Sequence, residues 1–196
     1  MKMKFILSAG IVSLIISCSP STRLERTWTD PSVTPETFQS LKKVLVICRL
    51  KDETTNRSAE DKIAYRYKNG KAVQSYIYLQ TSDSVQTEVD KKLQHDGFDG
   101  IIVMRLTGVD KSLDVYNSGY GGYYGYGGYY RGGYGMTTVS ENQTFNVETK
   151  LYSIVTGKML WSGTTSTYNP TSLDKSLEDI IAAIKQQFVK QGLLKE

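Results

Sequence analysis

Apolar strands and amphipathic helices alternate in the first half of the chain. Residues 43–50 are apolar on both faces, which is typical of a central parallel strand. Residues 73–79 alternate between apolar and polar side chains and predict a second strand, and residues 100–106 contain the doubly apolar run of a third. Parallel strands need crossovers between them, and the two intervening segments are long enough to be helices.

Both intervening segments carry apolar residues four positions apart, as one face of a helix requires. A pattern similar to a capping box at Ser58 predicts a helix that extends to about residue 68. The second helix is expected to begin at Ser82 or Ser84 and to end at Gly97.

The second half of the chain changes to hairpin patterns. Residues 138–155 show a period of two and predict a strand, and the next apolar and polar alternation, over residues 159–168, predicts the strand that returns beside it. An apolar stripe then predicts a last helix between Pro170 and Gly192.

These elements follow the order β-α-β-α-β-β-β-α, which predicts an α/β fold with helices packed on one mixed sheet. We expect a single globular domain over residues 41–196, because this length can bury one sizeable core. Residues 116–135 form a Tyr/Gly-rich loop that projects where the third strand passes to the fourth.

The first residues have the pattern of a secretory signal. A short basic segment precedes a mostly apolar run over residues 5–16, which is too short for an ordinary membrane span. The run ends in Ile15-Ile16-Ser17-Cys18, which resembles the bacterial lipobox. The resemblance implies that residues 1–17 are a lipoprotein signal peptide and that Cys18 carries the lipid, palmitate among its acyl chains. The alternatives are an ordinary signal peptide with a chance cysteine and a short cytosolic hydrophobic end.

Lipid on Cys18 would make the membrane the first partner of this chain, since two or three acyl chains give stable anchoring. Residues 18–40 are rich in Ser, Thr, Pro and charge without periodicity, and we interpret them as the lipidated Cys and a flexible tether. By analogy with proteobacterial sorting, Ser19 after the cysteine favours the outer membrane over the inner one. The periplasmic and surface-facing sides both stay open.

Composition excludes several classes of site. The formal net charge of +4 falls to +2 once Lys2 and Lys4 are removed, which is too weak to indicate nucleic-acid binding. One His and two Cys cannot build a zinc site without carboxylates, and no cofactor or metal is predicted. Cys48 lies within an apolar run, so we expect it to be buried as a small hydrophobe.

The Tyr/Gly-rich loop stands out from the rest of the sequence. It holds eight of the fourteen Tyr and nine of the seventeen Gly. Tyr offers flat amphipathic contact area and Gly offers adaptability, a mixture that suits protein contacts and sugar stacking. A loop that only links two strands is the other reading. The candidate binding residues are Tyr120, Tyr123, Tyr124, Tyr126, Tyr129, Tyr130, Arg131 and Tyr134.

Several segments between residues 42 and 190 resemble small bacterial envelope lipoproteins. These share an α/β fold with the amino-terminal domain of TolB and with the curli-secretion and penicillin-binding-protein-activator lipoproteins. The resemblance implies this fold and a non-catalytic role, because the known members are adaptors, pore subunits or proteins of unknown role. The matching segments are residues 43–47, Arg57 with Glu60-Asp61, Ser75-Tyr76, residues 97–103 and residues 151–162.

No catalytic residues are predicted. His95 is the only histidine, and its place near the end of a helix is typical of a cation that caps the helix dipole. The sequence therefore favours a non-enzymatic, membrane-anchored module that binds an envelope protein and supports envelope assembly. A lipoprotein that binds a glycan or small ligand through its tyrosines is the alternative. A hydrolase that uses carboxylates is a third possibility, for which no residues can be named.

Overall fold

The computed structural model describes residues 21–68, 70–79, 86–117 and 137–194, and over these the chain forms one mixed sheet with helices packed on it. The predicted α/β fold is thereby confirmed. The elements in chain order are β1 (Thr22–Thr29), α1 (Pro35–Ser40), β2 (Lys43–Arg49), α2 (Glu53–Arg66), β3 (Lys71–Gln74), α3 (Ser75–Tyr78), α4 (Gln86–His95), β4 (Gly100–Asn117), β5 (Thr137–Ser153), β6 (Met159–Tyr168) and α5 (Leu173–Lys190).

The strands lie in the order β1-β6-β5-β4-β2-β3 within the described residues. Strand β2 is parallel to both β3 and β4, as the predicted crossovers require. The other neighbours are antiparallel, and β5 and β6 form the predicted hairpin. The sheet therefore has a parallel half, in which the helices are crossovers, and an antiparallel half built from hairpins.

One face of the sheet is covered by α1, α2 and α5. Alternate residues of β2 face this layer, as do those of β4 and β5, and most of them are buried, while Ile102 and Leu106 are partly buried. Trp161 of β6 lies over Gly163, whose missing Cβ leaves room for the indole, and its ring meets Phe188 of α5 edge-on at 4.8 Å. The buried apolar strand residues of this layer are Val44, Val46, Cys48, Met104, Val147, Leu151 and Trp161.

The opposite face is covered over only part of its width. Leu93 and Phe98, from α4 and the turn after it, pack with Leu45 of β2 and Ile154 at the end of β5. Gly97 adopts a positive φ of 71° there, as the predicted helix end requires. Among the described residues no helix covers β6 and β1 on this face, so the antiparallel half of the sheet is open on one side.

The predicted tether is wrong for residues 22–40. Thr22–Thr29 form β1, which pairs with β6 along seven register positions, and the buried hydroxyls of Thr22 and Thr167 lie 2.8 Å apart. Thr34 caps α1 and Pro35 occupies its first turn, a pattern that suits a helix start. Strand pairing stabilises β1 although a bulge at Glu25 breaks its alternation.

The second predicted strand is also shorter than its alternation suggests. It ends at Gln74, and Ser75–Tyr78 turn into the short helix α3. The reason is Glu60 of α2, whose buried carboxylate accepts hydrogen bonds from the backbone amides of Ser75 and Tyr76. These amides are thereby taken out of the strand ladder.

Two further boundaries differ from the sequence prediction. Helix α2 begins at Glu53 with Asp52 as its cap, whose carboxylate accepts from the amide of Thr55, so Ser58 lies inside the helix. Strand β4 continues past residue 106 to Asn117, because it stays paired with β5 beyond a bulge at Thr107.

Candidate interaction surface

Two strands extend well past the rest of the sheet. The last pairing of β4 with β2 is at Arg105, and the last pairing of β5 with β6 is at Thr144. Beyond Gln143, six further pairs join residues 112–117 to residues 137–142, and this two-stranded extension is called the ribbon below. Residues 118–136 connect its two ends. Of the predicted Tyr/Gly loop, Tyr116 and Asn117 belong to β4, and residues 118–135 lie outside the described residues.

The register places the side chains of the open sheet face in rows that cross four strands. One row contains Arg105, Glu148, Thr164 and Arg26, which are paired in succession across β4, β5, β6 and β1. The next row contains Val103, Lys150, Ser162 and Trp28. This open face, defined by the two rows and their neighbours, is mainly polar.

Basic side chains outnumber acidic ones on the open face. Two basic side chains share the carboxylate of Glu148, which lies 3.5 Å from the guanidinium of Arg105 and 3.1 Å from the ammonium of Lys150. Glu25 accepts a hydrogen bond from Ser166. A solvated polar face is ordinary for an antiparallel sheet, but an excess of one sign creates a field that attracts opposite charge. Its charged residues are Arg23, Glu25, Arg26, Arg49, Arg105, Asp110, Glu148 and Lys150.

An aromatic residue lies at the edge of this charge. Trp28 of β1 is 43% exposed, and its neighbour across the ladder is Ser162. An exposed indole beside small hydroxyl side chains offers a flat stacking surface. The sequence analysis missed Trp28 and the rows around it, because the residues of one row are separated by dozens of positions in the chain.

Glu60 holds together the parallel half of the sheet. Its carboxylate is buried and accepts from the amide of Cys48 at 2.9 Å and from the amide and hydroxyl of Ser75 at 2.7 and 2.8 Å. Burial raises the pKa of the Cys48 thiol far above its usual range, and the adjacent Glu60 charge adds to this effect. The predicted burial of Cys48 is confirmed, and a protonated, inaccessible thiol is a poor nucleophile.

His95 lies on the surface at the end of α4, where the sequence analysis put it. Its Nδ1 is 3.0 Å from a carboxylate oxygen of Asp96, and the other oxygen of Asp96 accepts from the Tyr78 hydroxyl at 2.6 Å. The hydrogen bond from Tyr78, with that from His95, lowers the pKa of Asp96. The three side chains form an exposed surface network rather than a cleft.

The predicted lipidation and binding residues lie outside the described residues. This holds for Cys18 and for Tyr120, Tyr123, Tyr124, Tyr126, Tyr129, Tyr130, Arg131 and Tyr134. In the part of the chain that the structure describes, no group of His, Cys, Asp and Glu is arranged to hold a metal ion. The described helices include none that is both long and apolar enough to cross a membrane.

Comparison with solved structures finds distant likenesses in fold. A PelC dodecamer from Paraburkholderia phytofirmans matches with a TM-score of 0.43 and 9% identity, over 80% of this chain and 89% of that chain. Lipoprotein GNA1162 from Neisseria meningitidis matches with a TM-score of 0.44 and 14% identity, over 76% and 99%. No protein-family model matches the sequence, and no curated protein is detected as a relative. At these values the likeness assigns no role.

Proposed function

We propose that this chain is a non-enzymatic lipoprotein of the bacterial cell envelope, anchored through Cys18, which binds an envelope protein and supports assembly of the envelope. The observation that carries the proposal is the open sheet face, with its cross-strand rows of Arg, Lys and Glu beside Trp28. Arg and Trp are enriched in protein interfaces, and a flat surface suits a large partner better than a small substrate.

The charge of the open face indicates the kind of partner. Five basic residues against three acidic ones favour an acidic protein surface, which the field would draw in and orient. The outer membrane is the proposed location, because Ser19 follows Cys18. The Tyr/Gly loop is proposed as a second contact surface, and this part rests on its composition alone.

Capture in living cells tests this function. A photoreactive residue at Thr164, in the middle of the open face, should capture a discrete envelope protein, and a second at Tyr124 tests the loop. The control is the same residue at Gln186, which is exposed on α5 on the other side of the sheet. Recovery of the same species from Thr164 and Gln186, or of none from Thr164, would contradict the role of the open face.

A charge reversal sharpens the test. Arg26→Glu should reduce capture from Thr164 about tenfold, because it replaces attraction by repulsion within the row. Lys185→Glu makes the same change of charge on exposed α5 and should leave capture unchanged. Equal losses from the two variants would mean that only overall charge matters.

Glycan binding is the second candidate, and Trp28 is the observation that favours it. Its exposed indole lies in a row with Ser162 and Lys150, so that a sugar ring could stack while a hydroxyl and an ammonium bind its polar groups. Tryptophan fluorescence should then change with soluble acidic oligosaccharides, and Trp28→Ala should abolish that change. Trp161 is fully buried, so it serves as the internal reference.

A further inference from the structure

We propose that the end of the sheet from which the ribbon projects rests on the bilayer that holds Cys18, with the ribbon lying at the level of the lipid headgroups. The inference deepens the proposed function and rests on its lipid anchor. Three observations support it: the length of chain between Cys18 and the sheet, the direction of β1, and the apolar side chains exposed at this end.

The chain between Cys18 and the sheet is short. Ser21 is already fixed to the sheet, because its carbonyl accepts a hydrogen bond from the amide of Tyr168 at 2.8 Å. Only Ser19 and Pro20 separate it from Cys18. Three steps of about 3.8 Å between Cα atoms therefore keep Cys18 within about 11 Å of Ser21.

The direction of β1 excludes one orientation of the domain. Ser21 lies at the end of the sheet from which the ribbon projects, and β1 runs from Thr22 away from that end to Thr29. Seven residues at about 3.4 Å each put Thr29 about 24 Å from Thr22. If the opposite end of the sheet faced the bilayer, Ser21 would be about twice as far from the surface as the segment from Cys18 to Ser21 can reach.

The ribbon is longer than the segment from Cys18 to Ser21. Its six pairs beyond Gln143 extend about 20 Å past the level of Ser21, at about 3.4 Å per residue. With the strands directed at the bilayer, the ribbon meets the surface before the segment from Cys18 to Ser21 is fully extended. The sheet therefore tilts until the ribbon lies against the headgroups.

The exposed side chains at this end suit such a contact. Leu113 in the ribbon is 67% exposed and shares a face with Val109, whereas Tyr168, beside Ser21, is 49% exposed on the opposite face. Val109, where the ribbon leaves the sheet, is 40% exposed. Leucine and valine gain from leaving water, and tyrosine is favoured at the membrane interface.

The backbone and the charges limit how deep the contact goes. The outer edges of the ribbon have no strand beside them among the described residues, so their amide and carbonyl groups need water or headgroups. Among the described side chains, Asp110 and Glu141 outnumber Lys111 here, which gives no attraction to anionic lipid. The contact is therefore apolar and interfacial, and zwitterionic lipid is sufficient for it.

Site-directed fluorescence tests the orientation. The lipidated protein is purified, and mass spectrometry of its amino-terminal peptide determines whether Cys18 carries lipid. This measurement tests the anchor separately from the orientation. Leu113→Cys carries an environment-sensitive nitrobenzoxadiazole probe in vesicles of phosphatidylethanolamine and phosphatidylcholine that contain a spin-labelled lipid. The matched control is Val155→Cys, 77% exposed in the turn at the opposite end of the sheet. Native Cys48 is buried and stays unlabelled.

The probe at position 113 should be quenched at least threefold more than the probe at position 155, and Tyr168→Cys, at the same end of the sheet but on its opposite face, should be quenched to an intermediate extent. Equal and weak quenching at all three positions, with lipid found on Cys18, would overturn the orientation and leave the anchor intact. A Cys18 without lipid would overturn the anchor and the orientation together.

Discussion

The body of the sheet and the ribbon are built from the same two strands under opposite conditions. In the body, β4 lies between β2 and β5, and Met104 is almost completely buried beneath the helix layer. In the ribbon, β4 has β5 as its one strand neighbour in the described chain, and Leu113 is largely exposed. The pairing of β4 with β5 continues through both, so the difference lies in the second strand neighbour and in what covers the side chains.

This difference indicates that pairing alone extends a strand but does not stabilise it much. An isolated two-stranded hairpin is of marginal stability in water, whereas three or more strands with a buried face are stable. The ribbon persists because the body fixes its register from one end. Its residues can therefore be chosen for contact with a partner or surface, with little cost to the fold.

The largest difference in stability is expected between the removal of a carboxylate in the body and the removal of one in the ribbon. Glu60→Ala should lower the free energy of unfolding by about 3–5 kcal/mol, since the amides of Cys48 and Ser75 lose a buried acceptor and a cavity forms. Glu141→Ala removes an exposed partner of Lys111 in the ribbon and should leave the urea midpoint unchanged.

Urea unfolding of residues 18–196 measures both carboxylate variants, and Glu60→Gln serves as the control of similar shape. It keeps one acceptor oxygen and should lose less stability than Glu60→Ala. A loss for Glu141→Ala as large as for Glu60→Ala would mean that the ribbon is as integral to the fold as the body.

Truncation of apolar side chains on β4 should give the next largest contrast. Met104→Ala should cost about 2–4 kcal/mol, because it removes packing beneath α2 and α5. Leu113→Ala, nine residues later on the same strand, should cost less than about 0.5 kcal/mol. Denaturant titrations with unchanged slopes check both values, and similar costs would show that the ribbon is covered in solution.

The smallest effect concerns protonation in the ribbon. The hydrogen bond and charge of Lys111 lower the pKa of Glu141 below that of a free glutamate. The pairing therefore stabilises the ribbon above the ordinary glutamate pKa, and the effect is lost as the pH falls through the lowered value. Carbon NMR titration should show the lowered pKa, and Lys111→Met should return it to the ordinary range. An unchanged pKa in that variant would contradict the pairing.

Much of the body could be predicted from the sequence. The doubly apolar run at Lys43–Arg49 and the alternation at Met159–Tyr168 each match one strand. The apolar stripe predicts α5, and Gly192 adopts the positive φ of a helix end. Each of these elements buries at least one whole side, so its apolar residues recur in the sequence with the period of a strand or a helix.

The missed elements have identifiable physical reasons. In β1, threonines occupy the covered face and the bulge at Glu25 shifts the alternation, so the segment reads as polar. In β4, the bulge at Thr107 brings Leu106 and Val109 onto the same face although they are three positions apart. Bulges leave no clear period for sequence reasoning to detect.

The candidate surface was less predictable than the fold. The conspicuous tyrosines draw attention to residues 118–136, whereas the row of Arg26, Thr164, Glu148 and Arg105 exists only after four strands are paired. Glu60 was not recognisable from the sequence either, because one carboxylate in a helical stripe looks like a solvated residue until its four neighbouring donors are in place.

The position of β1 has a mechanical consequence. A pull on the domain away from the bilayer, along the strands, would pass from Cys18 through Ser21 into β1. Because β1 and β6 are antiparallel and the pull acts along their axis, it would slide the strands past each other and strain all seven register pairs at once. A strand peeled from its other end would lose its pairs one at a time. The pairing of β1 with β6 therefore resists force best along the strands, which is the direction of a pull against the proposed anchor at Cys18.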